Sequence, residues 1–137
     1  MVVFTFVNDI ATNGCGTTST PGGSVVAGPT AKQCTVNLTG IPNAQYITVT
    51  LNSVTDVAGN SGPVSAVMGL LIGDVNGDVP NAPGLVDSGD VFLVRQQTGQ
   101  VPTATTFRRD INANNLIDSG DVFLTRQQTG HQLPSSP

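Results

Sequence analysis

The chain has 137 residues, nine acidic and five basic side chains, and a formal charge of −4. That balance excludes a nucleic-acid partner, which needs a basic surface. With Trp absent and Tyr46 the only tyrosine, there is also little to stack on bases. No apolar run approaches the ~18 residues of a membrane helix, so no membrane span is expected. Charged residues make up only 10%, but Val, Leu and Ile are plentiful, which argues against disorder.

The first half reads as β throughout. Residues Met1 to Val7 alternate from the start, with no basic leader ahead of them. That pattern is not a signal peptide, and it leads to the expectation of a fragment or mature form of a larger protein. Ser24–Ala27 is a short strand after a turn-rich stretch, and Thr12–Gly23 is expected as a long free loop. In Gln33–Thr39, Cys34, Val36 and Leu38 share one face; in Gln45–Asn52, Ile47, Val49 and Leu51 do the same. Val64–Ile72 is a more continuous apolar run, and Gly, Pro, Asn and Asp fill the gaps. The expected fold for residues 1–71 is an antiparallel, all-β, immunoglobulin-like sandwich. It counts five strands, against about seven in a complete one. An open edge invites strand addition from a neighbouring copy, and such head-to-tail contacts build filaments.

Cys15 and Cys34 are the only cysteines. They are either bridged or two buried thiols, and an extracellular setting favours the bridge. Zinc is excluded, since His131 is the only histidine and lies in the tail. Asn37-Leu-Thr39 matches a glycosylation sequon, but inside a strand it reads as an ordinary solvent-facing residue.

Composition changes near residue 70. All nine acids are Asp, and seven of them lie after residue 73. The second half also repeats itself. Leu85–Gly99 matches Leu116–Gly130 at an offset of 31 residues, differing only at Val86/Ile117 and Val94/Thr125. Asp110, Asn112, Asn114, Asp118 and Asp121 fall at positions 1, 3, 5, 9 and 12 of a twelve-residue loop, and Leu116 at position 7 offers a backbone carbonyl. This is the ligand spacing of an EF-hand-type loop, in which a hard cation gathers alternate oxygens as the chain wraps it. In the first copy Asp74, Asn76, Asp78, Asp87 and Asp90 fill the same roles. Five extra residues within 79–84 leave Leu85 or Val79 as its carbonyl ligand. Position 8, Val86 and Ile117, is expected to pair with its twin across the loops. Asn115 stands at position 6, where Gly is usual, and Asn tolerates the left-handed backbone needed there.

A helix follows each loop, over Ser88–Thr98 and Ser119–Thr129. Each begins with Ser, carries Asp in its first turn and stops at Gly99 or Gly130. A third short helix is expected over Ala104–Arg109. These features, above all Gly-Asp74-Val-Asn-Gly-Asp78 and Asp110-Ile-Asn-Ala-Asn, resemble a type I dockerin, a duplicated loop–helix "F-hand" module, over about residues 72–133. The resemblance implies two bound Ca²⁺ ions and a small α domain of three helices with pseudo-two-fold symmetry. The first half resembles, more weakly, immunoglobulin-like modules that precede such repeats in bacterial secreted proteins. Dockerins bind cohesin modules. The recognition positions of that family correspond here to Ser88, Gly89, Arg95 and Gln96, and to Ser119, Gly120, Arg126 and Gln127, with Gly where a hydroxyl residue is common.

The expected division is therefore a sandwich over 1–71, a tandem calcium-binding repeat over 72–133 and a tail over 134–137. The leading reading is a non-catalytic, calcium-binding module of an extracellular or cell-surface protein, serving structure or attachment. The alternatives are a cohesin-binding dockerin and a filament subunit joined to a neighbouring copy by strand addition. An enzyme is not expected, because most of the carboxylates belong to the two loops.

Overall fold

A computed structural model describes residues 1–77 and 84–135. The chain divides into two compact units. One comprises Met1–Pro42 and Ile47–Met68; the other comprises Asn43–Tyr46 and Gly69 onward.

The alternating segments of the first half form antiparallel sheets. Strands β1 (Val2–Thr5), β2 (Gly23–Ala27) and β3 (Gln33–Leu38) make a three-stranded sheet in the order β1-β3-β2. Strands β4 (Gln45–Thr55) and β5 (Ser61–Leu70) make a two-stranded sheet. The central strand β3 sets Cys34 opposite Phe4 and Ala27, and Val36 opposite Val2 and Val25. Cys34 and Val36 are fully buried, as are Val49 and Leu51 of β4. Phe4, Phe6, Ile10 and Val64 close over them. The period-two pattern thus identifies the core face correctly on β3 and β4. Strand β5 starts at Ser61, three residues before the expected Val64, and accommodates Pro63. An edge strand tolerates proline, because its outward N–H has no partner to lose.

The bridge between Cys15 and Cys34 is formed, with their Cα atoms 5.6 Å apart. The expectation of a free Thr12–Gly23 loop is corrected. This stretch is stitched along β4: Thr55 N donates to Gly14 O at 2.8 Å, Asn52 N to Thr17 O at 2.8 Å, and Thr18 forms a bridge with Leu51. The close approach explains Gly16, which has φ +62° and whose absent Cβ would lie 1.9 Å from Ser53 O. Three threonines complete the seam, with Thr18 Oγ1 donating to Thr50 O and Thr50 N donating to Thr20 Oγ1 at 2.9 Å. Such a seam has no hydrophobic alternation to betray it, so it reads as loop in the sequence.

The turn joining β4 to β5 is organised by Asp56. Its carboxylate accepts from the backbone of Ala58 and Asn60 and from the side-chain amides of Asn8 and Asn60, all at 2.8–3.0 Å. The Asn60 side chain, then Asn8 and the Asn60 backbone, hold its pKa down from 3.8 to about 2. A depressed carboxylate stabilises the fold fully above its unfolded value and loses that contribution as pH falls through the folded one. Melts of the native chain should therefore show a loss of stability between 3.8 and about 2. Asp56→Asn should remove that component of the acid limb, and an unchanged limb would refute the assignment.

In the second unit the repeats become helices α1 (Ser88–Gln96) and α2 (Ser119–Gln128). Gly99 and Gly130, both with φ +89°, follow their ends, as the sequence predicts. The expected third helix over Ala104–Arg109 shrinks to a single 3₁₀ turn, Phe107–Arg109. Its threonines bond to one another instead: Thr103 N donates to Thr106 Oγ1 at 2.9 Å and Thr105 N to Thr103 Oγ1 at 3.4 Å. These local bonds compete with helix formation. Val75, Val94 and Ile117 form the buried centre, with Leu93, Ile111 and Val122 against them. Asn43 ties in the start of the unit, accepting from Ile72 N at 2.7 Å and donating to Gln128 Oε1 at 2.9 Å.

Candidate functional site

The second loop, residues 110–121, is closed by its own side chains. Asp110 accepts from Asn114 N at 3.0 Å and Asn115 N at 2.9 Å, one on each carboxylate oxygen. Asn112 Oδ1 accepts from Asn114 N, and Asn114 Oδ1 from Leu116 N, both at 2.9 Å. The side-chain oxygens at positions 1, 3 and 5 therefore bond to the loop's own backbone. Asp121 is fully buried. Its Oδ1 accepts from Ile111 N at 2.8 Å and Asn112 N at 3.2 Å, and its Oδ2 from Asp118 N at 2.8 Å.

The first copy repeats this bonding. Asp90, also fully buried, accepts from Val75 N at 2.9 Å, Asn76 N at 3.3 Å and Asp87 N at 2.9 Å. Asp74 Oδ1 accepts from Gly77 N at 2.7 Å. Gly84 lies against the same carboxylate, since a Cβ there would come 2.6 Å from Asp74 Oδ2. The expected ligand Asp78 and the alternative carbonyl of Val79 lie outside the described residues. Leu85 is described, half-buried and bridged to Gln132.

Two features of the loops are not anticipated by ligand spacing. First, positions 9 and 12 also start the helices. Asp87 and Asp118 are the N-caps, accepting from Gly89 N and Gly120 N at 2.6 Å, and Asp90 and Asp121 complete reciprocal capping boxes. The serines are the first helical residues, as the sequence predicts. The signal was present in the Asp-x-x-Asp spacing before each apolar run. Second, Val86 and Ile117 do not pair with each other. Ile117 N donates to Gln100 O at 2.9 Å and Ile117 O accepts from Gly99 N at 2.7 Å, while Val86 N donates to His131 O and Val86 O accepts from Gly130 N, both at 2.9 Å. Each loop is thus clamped to the end of the other repeat's helix, and the two clamps are related by the same offset of 31 residues.

Position 4 of each loop also has a left-handed backbone, Gly77 at φ +61° and Ala113 at φ +55°. Asn115 at position 6, φ +70°, adopts the conformation expected of it. Alanine pays ~1 kcal/mol or more for such a conformation. Ala113→Gly should therefore stabilise the second unit by about 0.5–1 kcal/mol, after the greater entropy of glycine in the unfolded chain is set against it. A melt showing destabilisation would contradict this.

The donor chemistry can be tested against a hard cation. Among the described residues no three carboxylates, imidazoles or thiolates converge on one point, so amide and carbonyl oxygens must share the work. An ionised carboxylate accepts at about four sites and an amide oxygen at about two. Asp110 uses two of its sites, Asp118 two, Asp121 three, and Asn112 and Asn114 one each. Each keeps capacity for a further partner, and with the Leu116 carbonyl the set suits a Ca²⁺ shell of 6–8 oxygens. Every described partner of Asp90 and Asp121 is a neutral backbone amide. Buried charge without a counter-charge is costly.

The family-derived partner residues Ser88, Arg95, Gln96, Ser119, Arg126 and Gln127 are all exposed. Ser88, Arg95 and Arg126 come together around a groove of about 410 Å³ with Val91, Phe92 and Thr129. Gln96, Ser119 and Gln127 do not line it. The repeat also exposes its twin aromatics, Phe92 and Phe123, at 59% and 60%. No helix is long and apolar enough to cross a membrane among the described residues. Among known proteins, no family model, no curated sequence and no solved structure matches this chain.

Proposed function

We propose that residues 72–133 form a calcium-stabilised, non-catalytic module of the dockerin kind, holding two Ca²⁺ ions in a secreted or cell-surface protein. The observation that carries this reading is the pair of buried carboxylates, Asp90 and Asp121, bonded identically and neutralised by no described side chain. In the second site the ligands would be Asp110, Asn112, Asn114, Asp118, Asp121 and the Leu116 carbonyl. In the first they would be Asp74, Asn76, Asp78, Asp87, Asp90 and the Leu85 carbonyl. The ion supplies positive charge at the centre of each loop. The chain's own residues hold the oxygens in place: Asp110 through the amides of Asn114 and Asn115, and Asp121 through those of Ile111, Asn112 and Asp118. The disulfide supports an oxidising, extracellular setting. Native mass spectrometry of the whole chain dialysed against calcium tests the reading. It predicts two bound ions, lost on chelation; a metal-free mass at saturating calcium would overturn it.

A second reading, docking on a cohesin-like partner, is favoured by the exposed groove that gathers Ser88, Arg95 and Arg126. Immobilised cohesin modules should retain the chain in calcium and release it in chelator. Retention unchanged in Arg95→Ala/Arg126→Ala would refute that use of the groove.

A further inference from the structure

The first unit contains a groove of about 520 Å³, within the usual range for ligand sites. One wall is the run Val25, Val26 and Ala27 of β2; the other is the segment Ile10–Gly16. Side chains of successive strand residues point to opposite faces. A cavity that meets three in a row therefore meets the edge of the strand, through its main chain.

That edge is open. Gly28 N donates to Gln33 O, and Thr39 N to Gly22 O. Bonded pairs alternate along an antiparallel ladder, so Ser24 and Val26 also turn their peptide groups toward β3. Val25 and Ala27, which sit opposite Val36 and Cys34, turn theirs away from it, and neither has a hydrogen-bond partner among the described residues. No charged residue lines the groove. The opposite wall is fixed in place by the Cys15–Cys34 bridge and by Ile10 N donating to Ala31 O at 2.8 Å.

We propose that this groove is a binding site for an extended, uncharged peptide segment of a partner protein, which adds to β2 as a further strand. The occupant's chemistry follows from what the groove lacks. Two residues offer outward N–H and C=O groups at strand spacing, which an extended main chain satisfies in full. The uncharged lining would leave a buried ionic side chain unpaired, which selects against charged segments. The five residues of β2 set the length of the docked strand.

The test uses the whole chain and a blocked pentapeptide of alternating valine and threonine, followed by amide NMR. Saturable shifts and exchange protection are expected at Val25 and Ala27. A peptide N-methylated at alternate residues, which cannot form the ladder, should not bind. Ala27→Pro removes one outward N–H without touching a bond to β3, and should weaken binding about fivefold or more. Absence of shifts up to the solubility limit overturns the proposal, as does equal binding of the N-methylated peptide. A native chain that is dimeric while Ala27→Pro is monomeric also overturns it, in favour of a second copy on this edge. The N-methylated comparison decides the matter even if Ala27→Pro fails to fold.

Discussion

Removing calcium from the whole chain is expected to unfold the second unit while the first stays folded. The cause is electrostatic. Asp90 and Asp121 are fully buried, and further aspartates crowd the same loops. Without a cation each loop must confine like charges among neutral amides. At free calcium ~1,000-fold above the dissociation constant, each ion adds ~4 kcal/mol to the folded state. Two such contributions are comparable to the entire stability of a small domain, about 5–15 kcal/mol. Amide exchange in chelator should therefore become fast for α1 and α2 while the amides of β3 and β4 remain protected. Superimposable melts with and without chelator would contradict the calcium account.

Removing the disulfide should have the opposite selectivity. The bridge closes a 19-residue separation, a constraint worth about 3 kcal/mol on the unfolded chain. For a unit of this size that corresponds to a fall in melting temperature of roughly 12–24 °C. Cys15→Ala/Cys34→Ala should also loosen the Gly14–Thr17 seam against β4, because Cys15 lies within it. Calcium stoichiometry should be unchanged. If the double variant melts with the native chain, the bridge does not carry that weight.

Much of this architecture was legible in the sequence because it rests on periodicity and repetition. Cys34, Val36, Val49 and Leu51 were legible as core because strands alternate, and all four are fully buried. The helices following each loop were legible because the repeat states them twice. What escaped was held by polar and backbone bonds, which leave no hydrophobic period. The segment around Thr17 to Thr20 looks like a free loop, yet it is tied to β4 through hydroxyls and peptide groups. The threonines near Ala104 look helical until their local bonding is seen. Position 8 of the loops suggested a twin pairing because the repeat makes the two residues equivalent. The same equivalence also permits each to bond to the other repeat's helix end, and that arrangement satisfies the peptide groups of Gly99 and Gly130 as well. The capping role of Asp87 and Asp118 was masked by their place in the ligand spacing; one carboxylate can serve both purposes because it accepts at several sites.

The most direct test of the central claim is a calorimetric calcium titration of the native chain beside Asp121→Ala. Asp121 holds the amides of Ile111, Asn112 and Asp118 and would ligate one ion of the pair. The native chain should bind two ions and the variant one. No calcium-dependent heat in the native chain, or the same stoichiometry in both proteins, would contradict it.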